Sequence, residues 1–524
     1  MVISYKAFML DYKIIGGQML DGTGAGPVRV DIGITGERIT AIGDLIRAEA
    51  VAVIDAVGMY IAPGFIDAHS HSDAYLLIEP SAPSKLFQGV TTEIVGNCGG
   101  SAAPLANAAW LPSDWRDQQY PGAWRSVADY RCLLEQARPA PNVMLLIGHG
   151  KLRAWVMGYQ ARPATADERR AMARLLEQSM DEGGRGFSTG LIYPPGLFAA
   201  PEEIADLACV VARRDGIYTT HMRSEGTHLL EAIEETLAIG RQTGVRLEIS
   251  HLKTSGRNNW SKAEAALNLI RCARAAGLDV AADRYPYMAG NTDLDVILPD
   301  WAQAGGRNAV LQRLCDHDCH ARLQQEMTAA RSADDWKDVV IGSTAEVSFR
   351  GRSLPEVAQA LGVDPVEAAL RLMEGDELKT SAFFFGMSEA NMWKILAEPY
   401  VMLGSDASLR ALQGPLSRDF PHPRAYGAFP RFLRAALDGK TVALPEAIRK
   451  MTSLPADHFR LKGRGRVVTG AYADLVVFDP NTVADRATFA VPHALAQGIE
   501  CVMVNGVPTL DRNGLTGRRA GRVL

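Results

Sequence analysis

The feature that most constrains this chain is a rhythm. Eight short apolar runs recur along its middle: 61–71, 90–99, 142–150, 184–193, 216–226, 245–253, 278–287 and 400–408. Amphipathic stretches such as ADERRAMARLLEQSM (166–180), GTHLLEAIEETLAIG (226–240) and SKAEAALNLIRCARAAG (261–277) lie between them. A run too short for a helix, followed by an amphipathic helix, is the pattern of a βα unit with a parallel sheet. Eight such units predict an α/β fold, a (β/α)8 TIM barrel. A doubly wound open sheet is the alternative. No GxGxxG or GxxxxGK[ST] loop follows any run, which weakens it.

The flanks read differently. Residues 12–60 alternate apolar and polar positions between glycine turns, and ADLVVFDP (473–480) and ECVMVNGVPTLDRNG (500–514) return to that style. Residues 1–60 and 465–524 are therefore expected to build one composite β-sandwich domain. The barrel is expected over 61–464. Residues 288–399 separate the seventh run from the eighth, too long a gap for a simple connection, and a lid insert is expected at 288–345. Its segment DVILPDWAQAGG suggests an apolar lid favouring hydrophobic substrate side chains.

Composition narrows the class. With 55 Lys and Arg against 60 Asp and Glu, the formal charge of the 524 residues is −5, which argues against nucleic-acid and membrane-surface partners. No run approaches the roughly 18 apolar residues of a membrane helix, and no signal peptide is evident. The seven cysteines (98, 132, 209, 272, 315, 319, 501) are odd in number and irregularly spaced, so a reducing, cytoplasmic setting is expected. Nothing in the residues sets an oligomeric state.

Chemistry gathers where the runs end. His69 and His71 close the first run, Cys98 the second, His221 the fifth, His251 the sixth and Asp406 the eighth. In a barrel these ends converge on one face, where active sites are built. Residues i and i+2 of a strand point the same way, so the H-x-H pair can face one ion. Imidazole, thiolate and carboxylate together suit zinc. The string CDHDCH (315–320) also holds possible ligands, but it reads as one helix with Cys315 and Cys319 in apolar packing. Cys132, Cys209 and Cys272 are likewise expected in cores. His149 could line the pocket, while His228, His458 and His493 are expected to be structural.

These strings resemble the metal-dependent amidohydrolases, and among them the N-acyl-D-amino-acid deacylases (D-aminoacylases). GFIDAHSHSD, GVTTEIVGNCGGSAAP, GLIYPPG, THMRSEG, EISHLKTSG, DRYPYMAGNT, LGSDAS and HPRAYGAFPRF carry the likeness over nearly the whole chain, except about 300–345. The resemblance implies a tight zinc on Cys98, His221 and His251, and a second, weaker position at His69, His71 and Asp406. It implies hydrolysis of N-acyl-D-amino acids, small molecules, to a carboxylate and a free D-amino acid. Asp406 would be the catalytic proton shuttle. Lys253, Tyr285 and Arg424 would grip the substrate carboxylate, with Tyr193 as a further contact. Many relatives carry a bridging lysine on the fourth strand, but none lies near Ser188 and Thr189 here. That departure counts against the runner-up, a cyclic-amide hydrolase of the dihydropyrimidinase or hydantoinase kind. A catalytically dead scaffold is a third reading, disfavoured by the full ligand set.

Overall fold

A computed structural model describes residues 9–524. Eight parallel strands lie side by side in chain order: β1 (Phe65–Asp67), β2 (Val90–Val95), β3 (Asn142–Gly148), β4 (Gly186–Gly190), β5 (Ile217–His221), β6 (Arg246–Ile249), β7 (Val280–Arg284) and β8 (Val401–Leu403). β8 returns to β1. The Asp406 N–H donates to the His69 carbonyl at 2.8 Å, and Ser70 bridges Ala407 in parallel. The sheet is thus a closed barrel. Its strands are buried throughout, which explains why they read as continuous apolar runs rather than alternating ones.

All three expected helices form, one of them at a side-chain cap. The helix Ala166–Asp181 starts at a capping box, with Thr165 accepting from the Glu168 N–H and the Glu168 carboxylate accepting from the Thr165 N–H. The other two run Leu229–Thr243 and Ala263–Ala275. The floor of the barrel is an apolar plug. Ile66, Ile94, Met144, Leu146, Ile217 and Met402 from the strands pack with Ala456, Phe459 and Leu461. Below β6, the Arg246 guanidinium donates to the His458 carbonyl, and His458 Nε2 lies 3.1 Å from the Leu247 carbonyl oxygen.

Two sheets from the flanks face each other. One has four strands in the order Arg38–Gly43, Asp31–Thr35, Leu10–Ile15, Ala50–Asp55. The other has seven, including Tyr60–Pro63 beside Leu475–Phe478 and then Ile499–Val504 and Val507–Asp511. Ile14, Ile32, Ile34, Ile61, Leu475, Val477 and Met503 form the shared core of this sandwich. The Asn505-Gly506 pair, both at positive φ, makes the tight two-residue hairpin turn that such a dipeptide favours. The first run therefore belongs to two sheets. Tyr60–Pro63 pairs in the sandwich, and Phe65–Asp67 opens the barrel.

Between β7 and β8 stands a three-stranded antiparallel sheet of Ala289–Asp293, Ser381–Phe385 and Val339–Ile341, with Ser381–Phe385 in the centre. It has its own core, from Leu294 and Ile297 through Trp336 and Leu354 to Ala382. That core reaches well past residue 345, because the central strand is the last of the three in the chain. The structure also corrects two local expectations. CDHDCH is not one helix. Asp316 stands extended between helices Arg307–Cys315 and His317–Ala330 and caps the second through the Cys319 N–H. Cys315, Cys132 and Cys272 are exposed rather than packed, and Cys209 and Cys319 are half-buried. No helix among the described residues is long and apolar enough to cross a membrane.

Candidate metal centre and active site

The sharp turn after β2 sets the site. Gly96, Cys98 and Gly99 all take positive φ, and a Cβ on Gly96 would stand 2.2 Å from the Leu146 carbonyl oxygen of β3. The turn brings the Cys98 thiol to 3.3 Å from His69 Nε2 and 3.5 Å from His251 Nε2. Two groups of donor atoms result: His69, His71, Cys98 and Asp406, and Cys98, His221 and His251. Within each group every donor lies within 4.8 Å of the others. A tetrahedral zinc with ordinary bond lengths holds nitrogen and sulfur donors roughly 3.4–3.6 Å apart. Neither ring nitrogen of the buried His221 has a hydrogen-bond partner. A buried polar group left so is costly unless a ligand satisfies it. The donor set fits a metal, and Cys98 is common to both groups.

Charge follows the same geometry. Burial alone would push the Cys98 thiol up, but His69 and His251 pull it well below its ordinary value, towards the thiolate that binds metal. Burial holds the His221 imidazole below its usual range and so keeps it neutral. Burial opposes ionisation of Asp406 too, yet Arg424 and His251 hold its carboxyl well below the carboxylate range. Asp406 Oδ1 is 3.2 Å from His71 Nε2 and 3.5 Å from His69 Nε2. Its Oδ2 is 2.7 Å from the Arg424 guanidinium.

The expected carboxylate grip is gathered on one side, past β6, β7 and β8. Lys253, Tyr285 and Arg424 are all buried. The Tyr285 hydroxyl has no hydrogen-bond partner, and Arg424 stacks over its ring at 4.5 Å. Lys253 pairs with Glu225. Tyr193 packs edge-on against His221, with ring centroids 5.1 Å apart. All four line one cavity of about 2050 Å³ together with His71, Cys98, His221, His251 and Asp406. His149 is buried beside Glu203 at 2.7 Å and serves packing. His228 is exposed, and His458 and His493 hold backbone carbonyls.

The insert wall differs from the expected apolar lid. Leu294, Ile297 and Leu298 point into the insert's own core, and the Trp301 indole donates to Glu326. From this segment Asp295, Val296, Gln303, Gly305 and Gly306 line the cavity, a mostly polar wall. Three supporting residues were not singled out by sequence reasoning. Asp283 accepts from the His251 N–H and lies 3.0 Å from His69 Nδ1. Buried Lys85 donates to Asp67 at 2.8 Å behind the H-x-H pair. Glu225 lies 2.7 Å from His251 Nδ1. Glu225 and Asp283 lie in THMRSEG and DRYPYMAGNT, but a lone carboxylate near a histidine carries no spacing signal.

Comparison with known proteins identifies the family. The model of the amidohydrolase family matches residues 52–510. A D-aminoacylase of Alcaligenes xylosoxydans xylosoxydans is 40% identical over 516 residues, covering 98% of this chain and 97% of its own. An N-acyl-D-glutamate deacylase of the same organism is 39% identical over 520 residues, covering 98% and 96%. Among solved structures, the N-acyl-D-glutamate deacylase of Bordetella bronchiseptica, complexed with zinc and a phosphonate mimic of the tetrahedral intermediate, superposes with a TM-score of 0.84. It is 36% identical over 98% of this chain and 99% of that one. The chain belongs to the amidohydrolase family, in its N-acyl-D-amino-acid deacylase branch.

Proposed function

We propose that this chain is a zinc-dependent amide hydrolase that removes the acyl group from N-acyl-D-amino acids. The observation that carries the reading is the position of Asp406. Its carboxylate completes the donor group of His69, His71 and Cys98 and pairs through its other oxygen with Arg424, at the edge of the cavity that Lys253 and Tyr285 also line. Cys98, His221 and His251 would hold the tight zinc, and His69, His71 and Asp406 a second, weaker position. A bound zinc supplies a Lewis acid that polarises the amide carbonyl and makes a nearby water acidic at neutral pH.

The protein's own groups do the rest. Asp406 is ionised, so it accepts a proton as water adds to the amide carbon. It returns that proton to the amine nitrogen as the C–N bond breaks, which leaves a carboxylic acid and a neutral amine, and the acid then gives its remaining proton to the amine. Arg424, Tyr285 and Lys253 bind the α-carboxylate. Arg424 is paired with Asp406 at rest, so substrate binding redistributes that guanidinium between two carboxylates. Ser188 and Thr189 on β4 are buried and hydrogen-bonded, with no lysine beside them to bridge two metals, which favours a linear amide over the cyclic-amide alternative. All seven thiols are free, which supports a cytoplasmic setting.

The test is a panel of N-acetyl-D- and N-acetyl-L-amino acids and dihydropyrimidines, run with metal analysis. Turnover of the D derivatives by zinc-loaded protein is expected. Turnover of cyclic amides alone, or protein purified without zinc that none restores, would overturn the reading.

A further inference from the structure

We infer that Glu225 is a positioning residue that joins the metal centre to the substrate grip through one carboxylate. The inference rests on the zinc reading above. Glu225 lies four residues past His221, in the turn leaving β5. That turn is stapled to the loop after β6. The Ser255 N–H donates to the Glu225 carbonyl at 2.8 Å, and the Ser250 N–H donates to the Thr220 carbonyl at 3.0 Å. The carboxylate is therefore delivered by backbone to the far side of His251 from Cys98. Its side chain is only 12% exposed, and its two oxygens face three functional groups. Oε1 is 2.7 Å from His251 Nδ1 and accepts from the Lys253 ammonium, while Oε2 is 3.6 Å from His221 Nε2.

The tautomer of His251 makes this arrangement necessary. Its Nε2 faces the Cys98 thiol at 3.5 Å, so Nε2 is the nitrogen offered to the metal. A neutral imidazole bound through Nε2 carries its hydrogen on Nδ1 and needs an acceptor there. Two groups reach Nδ1: the Lys253 ammonium at 2.8 Å and Glu225 at 2.7 Å. An ammonium has only donors. Glu225 is the acceptor, and it also compensates the lysine charge that would otherwise stand against an N–H. The same carboxylate thus fixes the ring orientation of a metal ligand and places the lysine of the carboxylate grip. Lys253 stands in contact with His251, and the Glu225 carboxylate beside both offsets the lysine charge.

The test uses the full chain, with zinc affinity measured by chelator competition rather than by turnover. Glu225→Gln keeps the shape and removes the anion. Its zinc dissociation constant is expected to rise roughly ten- to a hundredfold, the usual effect of removing a partner of a ligating histidine. Glu225→Asp keeps the charge on a shorter arm and is expected to fall between the two. Cobalt-loaded Glu225→Gln should show a shifted visible spectrum, because the His251 donor changes strength and angle. The metal-free variants should melt with the metal-free parent. Zinc affinity in Glu225→Gln within twofold of the parent, or a Glu225→Asp variant no tighter than Gln, would overturn the inference. A parent chain that binds zinc tightly yet leaves N-acyl-D-amino acids intact would remove the proposed reaction alone, and Glu225 would still be judged on metal affinity.

Discussion

The two ends of the barrel are built on opposite principles. At the floor, Ile66, Met144, Leu146, Met402 and Phe459 close the strands with apolar contact. At the other end, polar and ionisable groups crowd together, and the backbone is bent to bring them there. Cys98 (φ 52°), His251 (φ 36°) and Asp406 (φ 49°) all hold left-handed conformations that non-glycine residues avoid. Such residues cost of order 1–3 kcal/mol each and persist where the surroundings impose them. The floor supplies stability, and the rim spends part of it on placing ligands.

That contrast can be broken most sharply at Asp406. Asp406→Asn removes the proton acceptor and should lower kcat by roughly 10³–10⁴-fold, up to about 5.5 kcal/mol of barrel-rim function. Asparagine tolerates left-handed φ well, so the backbone stays unstrained, and any fall in melting temperature should come from the lost pairing with Arg424. Steady-state kinetics and thermal denaturation on the same samples check both halves. Wild-type turnover would show that Asp406 does not carry the proton.

The converse change lies at the floor. Phe459→Ala should cost about 3–5 kcal/mol of stability by leaving a cavity. Its kcat in the cold should stay near that of the parent. Denaturant titration beside kinetics reads the separation, and a large loss of kcat in folded protein would mean the two ends are coupled.

A smaller effect concerns acid. Burial pushes the His458 imidazole down to about 4, below the ordinary 6.5 it regains on unfolding. The unfolded chain then binds the proton first. Stability from neutral His458 is full above pH 6.5 and is lost as pH falls towards 4, by up to about 3 kcal/mol. His458→Gln keeps a polar partner for the Leu247 carbonyl without titrating. From pH 7 to pH 4 the parent should lose stability more steeply than the variant, and parallel curves would assign the acid sensitivity elsewhere.

The smallest change sharpens the cost of the rim. Cys98→Gly removes a ligand but suits φ 52°. It should lose tight zinc, while the metal-free protein gains or holds stability within about 1 kcal/mol. Metal analysis and melting of the chelated proteins decide it. Unchanged zinc content would mean that Cys98 is only packed nearby.

How far these ends were legible differs for physical reasons. Strands buried on both faces leave unbroken apolar runs, so all eight barrel strands show in the residue pattern, and the donor residues that the structure brings together are readable because they stand at strand ends. What stayed hidden depends on partners distant in the chain. The insert's central strand, Ser381–Phe385, pairs with Val339–Ile341 across an intervening helical pair, which no local pattern announces. Ile297 and Leu298 looked like a lid for substrate because an apolar segment shows that a residue is buried but not against what. Asp316 breaks a helix that composition alone reads as continuous, since an aspartate can cap as well as continue. Asp283 and Glu225 support ligands from other strands, and only the closed barrel brings them there.

One joint has mechanical weight. Tyr60–Pro63 and Phe65–Asp67 belong to different sheets and are separated by Gly64 alone. A Cβ there would stand 2.3 Å from the Thr91 side chain, and the Gly64 N–H donates to the Asp474 carbonyl at 2.8 Å. The connection behaves as a weld, without slack for a hinge. Torque applied to the sandwich passes straight into the strand that ends at His69 and His71. A label or partner that strains the sandwich would be felt as altered alignment of the proposed metal ligands His69 and His71, far from the place it touched.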